Sequence, residues 1–200
     1  MRMAGDSTPM QLLHINRGAV RPLRVGERKL MSAIGKTPVT GPVAVGPLGL
    51  AGDEQADLSV HGGLSKAIYA FPLAHLAYWQ QQRVVHGVSL FEEVLPPGFV
   101  GENLSLSGVH EEDVFVGDTL HFADCVLRVT QPREPCGKFN AVMGYPQAAR
   151  DMVLSGHCGF YLAVERAGTL CAGEAFTLVP GSRSMSIAQA LSHKRHKHLR

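Results

Sequence analysis

The sequence predicts a mainly β domain of the α+β class, and three observations carry that reading. Short apolar runs alternate with Gly and Pro, which together supply 34 of the 200 residues, the punctuation of many strands joined by turns. Charged residues make up only 18% of the chain, too few for a coiled coil or a disordered chain. Helical periodicity is confined to short stretches. An antiparallel barrel or curled sheet with helical excursions is the economical architecture, and the length suffices for one buried core.

Taken in order, the candidate strands are residues 11–15, 42–45, 67–70, 119–130, 160–165 and 175–179. Within 119–130, Leu120, Phe122, Val126 and Val129 cannot share one face under strict alternation, and a bulge or bend near Ala123-Asp124 is the simplest repair. Val116 to Leu120 reads as a hairpin turn in which Asp118 is structural. One helix begins near Pro72, which suits a first helical turn, and carries an apolar stripe of Leu73, Leu76, Ala77, Trp79 and Val84. A second covers about 147–154 and stops at Ser155-Gly156, and a third begins over 186–191.

The formal charge of +2 is misleading, because residues 193–200 hold four Lys/Arg and no acid. Without them, 15 basic residues face 17 acidic ones. The body is slightly acidic, so nucleic-acid binding is not expected, and the tail is expected to be a disordered end. No run approaches the ~18 apolar residues of a membrane span, and the N-terminus lacks a secretory pattern, so no membrane association and a cytoplasmic location are expected. The four cysteines lie 11, 22 and 13 residues apart without a C-x-x-C pair, and each is expected to be a thiol.

Cys136 stands out in Q-P-R-E-P-C-G-K-F-N. Pro132 and Pro135 stiffen the stretch into a turn at a strand end, Arg133 and Lys138 favour the thiolate, and Glu134 opposes it. The competing reading is a small buried hydrophobe. A second cluster, residues 49–66, offers Asp53, Asp57 and His61 around Gly62-Gly63, where His61 either contacts a ligand or ties the loop to itself. In P-P-G-F-V-G-E-N, Gly98, Gly101 and Asn103 suit a polar ligand or a plain turn. Lys36 is placed to reach a phosphate or solvent, and His157 beside Cys158 invites a Cys/His pairing that adjacency alone does not supply. Phosphate-loop, dinucleotide, nucleophile-elbow and zinc-protease signatures are absent.

Together, G-L-A-G-D-E-Q-A-D with H-G-G (49–63), G-E-N-L (101–104), G-D (117–118), Q-P-R-x-P-C-x-K-x-N (131–140) and G-F-Y-L-x-V (159–164) resemble the MOSC domain, the C-terminal domain of molybdenum cofactor sulfurases. The sequence is most similar to the stand-alone 6-N-hydroxylaminopurine resistance proteins of that superfamily. The resemblance implies a closed β-barrel over 11–180, followed by a shortened C-terminal helical segment and basic tail over 181–200. It implies a molybdenum cofactor (molybdopterin with Mo), with Cys136 as the metal ligand. Lys36, Asp53, Asn103, Arg133 and Lys138 would bind the cofactor, and His61 would join Cys136 in catalysis. Pyridoxal phosphate binding is a wider association of the superfamily. The implied reaction is reduction of small N-hydroxylated compounds to amines, with electrons from an external reductase. A persulfide-bearing sulfur carrier or cofactor-handling module built on Cys136 is the alternative.

Overall fold

A computed structural model describes residues 8–56, 62–91 and 93–198, the last four by backbone path alone. In chain order the elements are β1 (Gln11–Arg17), β2 (Arg21–Val25), β3 (Arg28–Ser32), β4 (Thr37–Val39), β5 (Val43–Gly46), β6 (Gly49–Leu50), β7 (Ile68–Pro72), α1 (Leu76–Val85) and β8 (Leu104–Ser107). There follow β9 (Thr119–His121), β10 (Val126–Pro132), α2 (Gly137–Met143), α3 (Ala148–Ser155), β11 (Phe160–Arg166), β12 (Gly168–Leu170), β13 (Thr177–Val179) and α4 (Ile187–His198). The domain is α+β with mostly strands. No helix among the described residues is long and apolar enough to cross a membrane.

Eight strands form the main sheet in the order β13-β9-β10-β11-β7-β8-β1-β4, with β7 and β8 parallel. The second half of β1 pairs with β4, while its first half bonds to residues 173–176, which lead into β13 at the opposite end of the order. That second contact consists of the isolated bridge Gln11↔Ala175 and flanking backbone hydrogen bonds. The sheet therefore curls back on itself as a barrel requires, but no regular ladder closes it among the described residues. β5, β6 and β12 form a second small sheet, and β2 and β3 a separate hairpin.

The core is continuous, and Trp79, Phe71, Phe139 and Phe160 are its largest buried side chains. Trp79 meets Phe139 edge-on at 5.1 Å, which packs α1 against α2.

Several expectations need correction. Residues 119–130 are two antiparallel strands, not one bulged or bent strand: the chain reverses between β9 and β10, where Phe122 N–H donates to the Cys125 carbonyl. The face conflict seen in the sequence is resolved by a turn. The stretch around Cys136 is shorter as a turn than expected, because β10 continues through Pro132 and α2 begins at Gly137. The basic tail is helical rather than a disordered end, since α4 continues to His198. Its start is fixed by a reciprocal cap, in which the Ser186 hydroxyl accepts from Gln189 N–H and the Gln189 side chain accepts from Ser186 N–H. Ile187 and Leu191 bury its apolar side against α3 and β10.

Gly159 enters β11 at φ +66°, and a Cβ there would lie 2.3 Å from the Ala70 carbonyl oxygen. Gly26, in the β2–β3 turn at φ +60°, has open space around it. Gly26→Ala should cost about 1 kcal/mol, the left-handed backbone alone. Gly159→Ala should cost at least ~2–3 kcal/mol, because strain and backbone overlap add. Urea unfolding of the two variants beside wild type measures the difference.

Candidate functional site

An open cleft of about 650 Å³, counting the solvent at its mouth, is bordered by β7 and β11 of the main sheet. Lys36, Asp53, Asn103, Arg133, Cys136 and Lys138 all line it. These residues come from four separate stretches of chain, and only the fold brings them together. Residues 57–61 lie outside the described residues, so His61 and Asp57 have no described position; the neighbouring Gly62 lines the cleft.

Two kinds of polar group face this space. The first is an internal brace. Lys36 Nζ lies 2.5 Å from Asp53 Oδ1, which also accepts Gly18 N–H at 2.8 Å. The other oxygen, Asp53 Oδ2, accepts from Asn103 Nδ2 at 2.8 Å. Asn103 Oδ1 in turn accepts Tyr69 N–H at 3.1 Å. Burial pulls the Lys36 ammonium below its ordinary range, against the opposing attraction of Asp53. Lys36 and Asp53 thus neutralise each other at the wall of the cleft.

The second kind is cationic and uncompensated. Arg133 is buried, yet neither it nor Lys138 pairs with a carboxylate among the described residues. The Arg133 guanidinium is held over the rings of Phe139 and Tyr69, at 4.7 and 5.5 Å from their centroids, and Nη1 donates to Met152 Sδ at 3.1 Å. A buried cation is costly without a counter-charge, so this arrangement suits an anionic ligand. Cys136 is half-buried between them at the start of α2. Lys194 of α4 pairs with Glu134, which relieves the carboxylate that would otherwise oppose the thiolate.

The sequence reading did not assign Tyr69, Tyr161, Lys66 or Glu54 to the site, and all four are part of the lining. Tyr69 and Tyr161 are cross-strand neighbours on β7 and β11 with ring centroids 5.6 Å apart. Their signal was the alternation of β7 and β11, where a tyrosine interrupts an apolar face. Burial raises both phenols, Tyr69 well above its ordinary range, so both remain protonated hydroxyls.

A MOSC domain profile matches residues 57–177. The chain belongs to the MOSC domain family. This MOSC protein is 35% identical over 159 residues to Protein YiiM of Escherichia coli, a match covering 80% of this chain and 69% of that protein. It is 30% identical over 172 residues to a protein named Reductase from Gibberella moniliformis, covering 86% of this chain and 29% of that longer one. The crystal structure of YiiM from Geobacillus stearothermophilus superposes with a TM-score of 0.73 at 32% identity, covering 94% of this chain and 85% of that one. MOSC domains are associated in general with molybdenum cofactor binding.

Behind the brace, the wholly buried Glu102 accepts Gly98 N–H at 2.6 Å and the Ser105 hydroxyl at 3.1 Å, while its Oε2 has no hydrogen-bond partner. Burial pushes this carboxyl up to about 7, against those hydrogen bonds. Glu102 therefore binds its proton more tightly in the folded chain than in the unfolded one, where the ordinary value is 4.5. Stability is greatest below that value and falls as pH rises through about 7. Wild type should lose up to roughly 3 kcal/mol of unfolding free energy between pH 5 and 8 from this group. Glu102→Gln keeps the acceptor and should remove that slope, as urea unfolding at the two pH values will measure.

Proposed function

We propose that the cleft binds the molybdenum cofactor, with the Cys136 thiolate as the protein's ligand to the metal, and that the chain reduces N-hydroxylated small molecules to amines. 6-N-hydroxylaminopurine is one such substrate. The observation that carries this reading is the convergence of Cys136, Arg133 and Lys138 on one cleft in a MOSC domain. The donor chemistry fits the group: a soft thiolate suits molybdenum, and two cations without carboxylate partners suit a pterin phosphate.

When bound, the cofactor supplies a two-electron couple for the conversion of R–NH–OH, two protons and two electrons to R–NH2 and water. The chain's own residues hold and shape. Arg133, fixed by two aromatic faces, presents a planar fork to the phosphate, and Lys138 adds a point charge. The Lys36–Asp53–Asn103 brace stiffens its part of the lining while Lys36 and Asp53 compensate each other's charge. Tyr69 and Tyr161 give an apolar face to a planar base, and His61 stands as the proposed proton donor. A separate reductase must supply the electrons. The similarity to one region of a longer protein named Reductase supports that coupling.

Chain purified from a host that makes the cofactor should contain close to one molybdenum per protein, and Cys136→Ala should lower this at least tenfold with the fold intact by circular dichroism. Wild type, but not the variant, should consume a chemical reductant on addition of 6-N-hydroxylaminopurine. Protein free of molybdenum but carrying sulfane sulfur on Cys136 would make this chain a sulfur carrier instead.

A further inference from the structure

His157 stands beside Cys158, but the two do not pair: Cys158 Sγ donates to the Gly159 carbonyl at 3.1 Å. The imidazole instead meets two residues that are distant in sequence. Its ring stacks on His75 with centroids 3.9 Å apart, and His75 Nε2 lies 2.7 Å from Glu111 Oε2. One ligand-capable atom from each of the three residues falls within 4.8 Å of the others. His75 and Glu111 are buried, and His157 is half-buried, which leaves a route from solvent. None of the three lines the cleft.

We propose that His75, Glu111 and His157 form a second metal site that takes one divalent cation of the zinc type. Two imidazole nitrogens and a carboxylate oxygen are a donor set suited to Zn²⁺. A His–Glu hydrogen bond would account for two of the residues. Ring packing on His75 and on Tyr78, whose centroid is 4.8 Å away, holds the second imidazole against the same pair. The carboxylate is already oriented, because Glu111 Oε1 accepts Gly159 N–H at 2.8 Å and leaves Oε2 on the histidine side. Water would fill the fourth position of a tetrahedral ion held by these three ligands. The ion would join three segments: the turn before α1, the loop after β8 and the entry to β11. The last of these accepts the Arg133 N–H through the Gly159 carbonyl at 3.2 Å, so the site braces the strand entry beside the cleft.

The test uses the full chain, stripped of metal with a chelator and titrated with Co²⁺ as a spectroscopic probe and then with Zn²⁺. Wild type should bind one equivalent of Co²⁺ with visible d–d bands and without a thiolate charge-transfer band, and Zn²⁺ should displace it. His157→Ala, at a half-buried position, and Glu111→Gln, which keeps the acceptor for Gly159, should each weaken binding at least tenfold. Cys136→Ser should bind as wild type does. Saturating Zn²⁺ should raise the wild-type melting midpoint by several degrees and leave that of His157→Ala in place. Failure of wild type to bind at micromolar metal, binding that survives both substitutions, or binding lost in Cys136→Ser would each overturn the proposal.

Discussion

The carboxylate of Asp53 is the joint on which the cleft depends. It receives the Lys36 ammonium, the Gly18 amide and the Asn103 side chain, and through them ties the ends of β1, β4 and β8 to the loop after β6. Asn103 extends the tie with its backbone as well as its side chain, since its N–H donates to the Tyr69 carbonyl and its carbonyl accepts Asn16 N–H. A buried ion pair is a weak source of net stability, because desolvation consumes much of the attraction. Its value here is geometric. The ladders of β1 with β4 and with β8 already set the register of these three strands, and Asp53, with two fixed acceptor directions, ties their ends to the loop after β6 while compensating the Lys36 charge at the cleft wall.

That neutrality gives the remaining cations their meaning. A formal charge of +2 over 200 residues says nothing about anion binding. What matters is which cations lack a counter-charge and where they sit. Lys36 is satisfied by Asp53 and Lys194 by Glu134, whereas Arg133 is buried against two aromatic rings and a thioether with no carboxylate partner among the described residues. The tail, which looked irrelevant as a charge cluster, acts on the site through its helix: α4 docks by its apolar side and thereby sets Lys194 against the acid next to Cys136.

Much of the strand framework was legible because burial enforces it. The runs at β1, β5, β7 and β11 are apolar for the plain reason that they face a core, and the helix at α3 has both its periodicity and its stop. The β2–β3 hairpin was illegible because it buries little: its R-P-L-R-V and R-K-L-M-S strands are mostly exposed and carry no apolar alternation. Residues 119–130 misled for a different reason. A tight reversal that needs neither Gly nor Pro leaves no punctuation, so two strands read as one. At the site, Cys136 and its cations were visible as a motif. Tyr69 and Tyr161 were not, since their proximity is a product of β7–β11 register, and register is decided by the whole sheet.

The entry to β11 shows why one cysteine and not another faces the cleft. Cys158 lies between the cleft and the histidine cluster, a position that looks suited to either, yet each of its neighbours fixes it in place. Its carbonyl accepts the Tyr69 hydroxyl at 2.8 Å, the next residue is pressed against Ala70, and burial raises its thiol well above the ordinary range. A thiol that is locked, dry and protonated serves as packing and as a backbone anchor. Cys136 is half-buried where β10 gives way to α2, flanked by Arg133 and with its acidic neighbour already paired. The two thiols differ in what surrounds them, and the same Gly159 carbonyl that receives the Cys158 thiol also receives the backbone N–H of the Arg133 near Cys136.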